Sequence, residues 1–260
     1  MRVVVPVADH KGFFGVMPAY AGALGAKLVT FYPANTDVHT HHAVIALFKP
    51  ETGEPLAIMD GRLITEMRTA AASAVATQHL ARANASILAI LGSGVQAGSH
   101  LEALRQVRRF SEVRVWSPRN AKAFAERHGV TAARSAEEAV RGADVVVVAV
   151  SSKTPVLQGQ WLSPGAHVNA IGATRPDWRE LDDDLVTRAR VFVDSREAAT
   201  KESGDVIAAR EVVGEIGEVV SGKKPGRSNA TEITVFKSVG VAVEDVASAA
   251  LVYERHASGT

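Results

Sequence analysis

"SILAILGSGVQAGSHLEALRQV", residues 86–107, decides the fold. An apolar run with the composition of a buried strand passes directly into Gly92-Ser93-Gly94, and a helical stretch follows. Gly92, Gly94 and Ala97 make the pattern G-x-G-x-x-A. On its own that pattern is weak, because a tight strand-to-helix turn without a ligand gives the same string. Its position between a strand and a helix supplies the missing context. Glycines let the backbone approach a pyrophosphate, and the helix start offers unpaired N–H groups at the positive end of its dipole.

The pattern extends outward from this stretch. "EVRVW" is followed by a predicted helix over 120–127, then come "ADVVVVAV", "HVNAIGA" and "RVFVDS". Near-continuous apolar strands separated by helices predict a parallel sheet covered on both faces, so the fold class is α/β with a central Rossmann-type doubly wound parallel sheet. After Ser195 the chain reads as a polar loop through "EAATKESGDV", a helix over 209–220, a loose stretch at "GKKPGRSNA" and a C-terminal helix over 235–255. The first sixty residues differ in kind. Strands are predicted at 3–7, 13–17, 27–32, 43–48 and 56–59, with "PETGEP" as a hairpin turn, and a helix at 63–82. The expected division is a dinucleotide-binding domain over 83–229, with 1–82 and 230–260 forming a second α+β domain on which the last helix packs.

Bulk properties narrow the function classes. The 260 residues carry 29 basic and 28 acidic side chains, which gives no broad field for nucleic acid or an anionic membrane. There is no cysteine, and no apolar run long enough for a membrane span or a signal peptide. A cytoplasmic protein is expected.

Three further features bear on chemistry. The second strand of the nucleotide domain runs into "WSPRN", where Ser117, Arg119 and Asn120 stand and no carboxylate does; this favours NADPH, with NADH as the lesser alternative. Arg2, Lys27 and Arg68 lie in apolar or alanine-rich surroundings, where cations need partners such as a carboxylate substrate; taken singly, each also fits a structural role. In "VHTHHAVIALF", residues 38–48, three histidines fall within four positions. An extended chain would put His39 and His41 on one face, but the usual zinc ligand set is lacking, so no metal is expected.

On "RVVVPV", "GVMPAY", "KLVTFYP", "ITEMRTAAASAVAT", "LGSGVQA", "GAHVNAIGATRPDWRELDDDL", "VDSREAATKESGDV" and "TVFKSVGVAVED", the chain resembles the ornithine cyclodeaminase/mu-crystallin family along its whole length. The resemblance implies a homodimer built through the second domain, to which a further segment ahead of "RVVVPV" contributes in such proteins. It implies that Arg2, Lys27 and Arg68 together clamp a substrate carboxylate. It also implies cofactor contacts from Thr40, Thr69, Gly92, Ser93, Gly94, Val95, Gln96, Ser117, Arg119, Asn120, Val150, Ser151, Ile171, Lys237 and Ser238. His41 becomes a proton carrier or a structural neighbour of the site.

One departure shapes the expected activity. Cyclodeaminases and the related alanine dehydrogenases have an aspartate where this chain has Thr174, here assigned to the substrate site. Threonine cannot act as a general base near neutral pH. The resemblance therefore implies NADPH-dependent reduction of a cyclic ketimine carboxylate, of the piperideine- or pyrroline-2-carboxylate type, to the cyclic amino acid. The alternatives are a cyclodeaminase or alanine dehydrogenase-like enzyme, and a non-enzymatic NADPH protein that binds a thyroid-hormone-like carboxylate.

Overall fold

Strand β6 (Ile87–Leu91) does follow the predicted course, ending at the glycine loop ahead of helix α2 (Val95–Val107) in a computed structural model that describes residues 2–259. Preceding them are β1 (Val3–Val7), β2 (Gly12–Tyr20), β3 (Leu24–Phe31), β4 (His41–Phe48), β5 (Pro55–Asp60) and α1 (Arg62–Leu80). After α2 come β7 (Glu112–Trp116), α3 (Ala121–His128), β8 (Thr131–Ala132), α4 (Ala136–Val140), β9 (Val145–Val148) and β10 (His167–Ala170). The chain continues through α5 (Asp183–Arg188), β11 (Arg190–Val193), α6 (Arg196–Glu202), α7 (Gly204–Ala208), β12 (Val212–Glu215), α8 (Ile216–Val220), β13 (Thr234–Lys237) and α9 (Ala242–Ser258).

Two units can be distinguished, one of residues 1–68 with 240–260, the other of residues 69–239. The expected boundaries at 82/83 and 229/230 are therefore shifted. β13 belongs to the second unit because it pairs between β10 and β11. The C-terminal half of α1 belongs there too: Asn169 on β10 donates to Thr77 at 2.8 Å, and Leu80 joins a core with Phe192 and Phe236.

In the second unit eight parallel strands run in the order β12-β11-β13-β10-β9-β6-β7-β8. β9, "VVVV", is fully buried along its length, as a strand covered on both faces must be. From β6 the chain proceeds to β7 and β8 on one side and to β9 and β10 on the other, so the connectivity reverses at β6. Three expectations fail here. Part of the helix predicted over 209–220 is strand β12, the start of the helix predicted over 235–255 is strand β13, and the "loop" after Ser195 holds α6 and α7. Valine at 212, 213 and 235 is at home on a pleated surface, and tertiary pairing outweighs a helical spacing of alanines.

The first unit is an antiparallel meander, β1-β2-β3-β4-β5. α9 covers its inner face, packing Ala242 with Met17, Val29 and Ala43, and Val246 and Ala249 with Ile45 and Leu47. The outer face aligns Val3 with Val16, Leu28 with Val44, and Ala46 with Ile58; Val3, Leu28, Val44 and Ile58 are exposed.

Candidate functional site

In the second unit the parallel register brings Leu91, Val148, Ala170, Lys237 and Val193 into one row at the carboxyl ends of their strands. Gly92, Ile171 and Ser238 directly follow that row, and Val150 and Ser151 come just after Ala149; all five are among the residues expected to meet a cofactor. They lie along one sheet edge, where open α/β sheets bind ligands. Gly92 has φ +122°, and a Cβ there would come within 2.3 Å of the Ala149 carbonyl, so only glycine fits. Its N–H donates to the Trp116 carbonyl at 2.8 Å, tying the loop to the end of β7.

α2 starts from Gly94, which supplies no side-chain cap, and a Cβ at Gly94 would meet nothing within 4 Å. Beside it the Oε1 of Gln96 is buried without a hydrogen-bond partner. Uncapped amides, open space and an orphaned polar atom fit a dinucleotide pyrophosphate held by Ser93, Gly94, Val95 and Gln96. Ser93 and Ser117 hydroxyls lie 2.8 Å apart, and the Ser117 oxygen also accepts the Asn120 N–H at 3.1 Å. Arg119 next to them is exposed.

Lys237, expected to touch the cofactor, is paired with carboxylates. Its ammonium is buried 2.5 Å from Glu180 Oε1 and 3.4 Å from Asp205 Oδ2. Both Glu180 oxygens accept the Gly172 N–H, so this buried cluster fastens the segment after β10 that carries Thr174. Ser238 and the Val239 N–H both donate to Asp194 Oδ2, at 2.9 and 2.8 Å. Glu180, Asp205 and Asp194 lie in or beside the strings that carried the resemblance. Acids in a sequence do not show which will be buried.

The cations of the first unit do converge. Lys27 on β3 and Arg68 on α1 are 2 % and 8 % exposed. Asp245, in the first turn of α9 and fully buried, meets both: Oδ1 accepts from Arg68 Nε at 2.8 Å and Oδ2 lies 2.6 Å from Lys27 Nζ. Arg68 Nη1 also donates to Glu244 at 2.8 Å. Arg2 donates to the Gly240 carbonyl at 3.2 Å. Gly240 has φ +79°, and a Cβ there would stand 2.8 Å from Arg68 Nη1, so a side chain would crowd the guanidinium. Burial, reinforced by Arg68, lowers Lys27 to about 8 in spite of Asp245. Arg68 is held firmly charged: burial opposes its charge, but Asp245 and Glu244 outweigh it.

His41 faces this group from the inner side of β4, next to Ala43 and Ile45. Burial first, then Lys27 and Arg68, lower it to about 4, so it is neutral at physiological pH. His39 and His42 are exposed and meet each other edge to face, ring centroids 6.1 Å apart. The pairing expected from alternation, His39 with His41, does not form, because β4 begins only at His41 and His39 precedes it in the turn where Thr40 is exposed. Among the described residues no three metal-ligating side chains cluster, and no helix is long and apolar enough to cross a membrane. Thr69, half-buried, follows Arg68 on α1.

Comparison with known proteins identifies the family. Residues 1–260 match the model of the ornithine cyclodeaminase/mu-crystallin family. The ketimine reductase mu-crystallin of Mus musculus is 51% identical over 269 residues, covering 100% of this chain and 85% of that protein. The Δ1-pyrroline-2-carboxylate reductase of Thermococcus litoralis, solved with NADH and L-proline, superposes with a TM-score of 0.94 at 40% identity, over 100% of this chain and 87% of that one. An archaeal alanine dehydrogenase dimer with bound NAD gives 0.94 at 39% identity, over 100% and 85%. With the family model matching residues 1–260 and these relatives 39–51% identical along the whole chain, the chain belongs to the ornithine cyclodeaminase/mu-crystallin family.

Proposed function

We propose that the protein reduces a cyclic ketimine carboxylate to the corresponding cyclic amino acid with a nicotinamide dinucleotide. The observation that carries this is the convergence in the first unit of Lys27 and Arg68, both buried, on Asp245, with Arg2 close by at the Gly240 carbonyl: a cationic group of the kind that receives a substrate carboxylate. The relatives named as ketimine and pyrroline-2-carboxylate reductases support the same substrate class. When bound, the cofactor supplies a hydride to the imine carbon. Arg2 and Arg68 then hold the carboxylate, and orientation of this kind accounts for much of the rate.

As the imine carbon accepts hydride, the C=N π pair moves to nitrogen, which needs a proton. Lys27 is the suitable donor, since its proton affinity lies near neutrality and the guanidiniums never release theirs. His41, held neutral, serves as a hydrogen-bonding neighbour. Ser117, Arg119 and Asn120, with no acid among them, support NADPH over NADH. The exposed apolar outer face of the first sheet supports a homodimer, as does the dimeric archaeal relative.

Purified protein mixed with NADPH and piperideine-2-carboxylate is expected to consume nicotinamide absorbance. Tight NADPH binding without consumption would refute reduction and favour a binding protein. Proline and ammonia formed from ornithine would instead point to a cyclodeaminase.

A further inference from the structure

We propose that Asp245 is a positioning residue for this reaction: one buried carboxylate bridges Arg68 Nε and Lys27 Nζ, locks the two cations in register and keeps Lys27 charged until substrate arrives. The inference rests on the reading of the first unit as a carboxylate clamp. Its basis is geometric. Asp245 Oδ1 and Oδ2 lie 2.8 and 2.6 Å from the two nitrogens, and the three side chains are 0 %, 7 % and 2 % exposed, so water contributes little to holding them. The carboxylate reaches this place from the first turn of α9, where the helix dipole favours an acid.

The charges that act on Lys27 are Arg68 on α1, Arg2 ahead of β1, and Asp245 itself; Glu244 pairs with Arg68, and His41 on β4 is neutral. Asp245 is thus the carboxylate that opposes burial and two guanidiniums at Lys27. Without it, the loss of hydration and the two guanidiniums act on Lys27 with less opposition, and the lysine gives up its proton at lower pH.

The test is D245N, nearly isosteric and uncharged, compared with wild type as holoenzyme saturated with NADPH. Pyrrole-2-carboxylate, a planar monocarboxylate with no imine, is titrated calorimetrically from pH 6 to pH 9.5, and kcat/KM is measured across the same range. In wild type the affinity should break near the lysine value of about 8 and weaken above it. In D245N the break should move down by a unit or more, with kcat/KM at pH 8 reduced about fivefold or more and partly restored at pH 6.5. D245E, which keeps the charge, should return the break toward wild type.

Affinity lost equally at every pH with the break unmoved would overturn the proposal and leave Asp245 a packing residue. Wild type that binds the probe at no pH would overturn the clamp itself. Shifted binding without NADPH consumption would support the Asp245 role and refute only reduction. Should D245N not fold, D245S is compared with D245E: a break lowered in D245S and restored in D245E supports the role, and the same break in both refutes it.

Discussion

His41, His39 and His42 are consecutive enough to look like one site, yet the backbone separates them. His41 enters β4 facing the buried cations, while its two neighbours remain exposed and meet each other. H41A should therefore lower kcat/KM about tenfold or more, since a neutral imidazole beside Lys27 and Arg68 is lost from a packed site. H39A should change it less than twofold, and a chelator should leave activity unaltered; steady-state assays on both variants check this. The cations illustrate what a sequence can and cannot disclose. Lys27 and Arg68 stood out as charges in apolar surroundings, so the need for partners was legible. Asp245 was not, because 177 positions separate it from Arg68 and nothing in "VAVED" distinguishes the acid that will be buried from the one that will not.

At the scale of elements, the strand-loop-helix of residues 86–107 was the most legible part, because the glycine spacing and the apolar strand carry their own geometry. G92A tests it: a methyl group 2.3 Å from the Ala149 carbonyl forces the loop away from β9. NADPH affinity, followed by cofactor fluorescence, should fall at least tenfold. β12 and β13 were misread as helix because short strands within alanine- and valine-rich stretches show no periodicity of their own; they are defined by pairing with β11 and β10. α1 and α2 are joined by His100, whose Nδ1 donates to the Gln96 carbonyl at 2.7 Å and whose Nε2 accepts from Ser73 at 2.9 Å.

Burial lowers His100 from 6.5 to about 4. Between those values the unfolded chain takes up a proton that the native state refuses. The stabilisation from neutral His100 is complete above pH 6.5 and is lost as pH falls toward 4. At about 1.4 kcal/mol per pH unit this amounts to roughly 3 kcal/mol. Urea unfolding should show wild type weakening from pH 7 to pH 4.5, and H100Q, less stable at pH 7, should close on it as pH drops.

At the scale of the molecule, composition gave the exclusions and the alternation of strands and helices gave the larger sheet. The outer face of the smaller sheet was not legible, since a strand with one exposed apolar face reads like one buried on both sides. Ile58 is 77 % exposed there, so I58D leaves the protomer's core untouched. Sedimentation velocity should show wild type as a dimer and I58D shifted toward monomer; an unchanged mass for I58D would place any interface elsewhere.

The first unit is assembled from two distant parts of the chain, and this has a bearing on synthesis. The strands that carry Lys27 and His41, and the helix that carries Arg68, leave the ribosome with the whole parallel sheet still to be translated before α9 appears. During that interval the meander has no helix over Ile45 and Leu47, and its buried cations have no counter-charge. The meander therefore cannot complete its core until α9 has been made. A released chain ending just before residue 242 should be protease-sensitive in the meander, and the chain extended through α9 should resist.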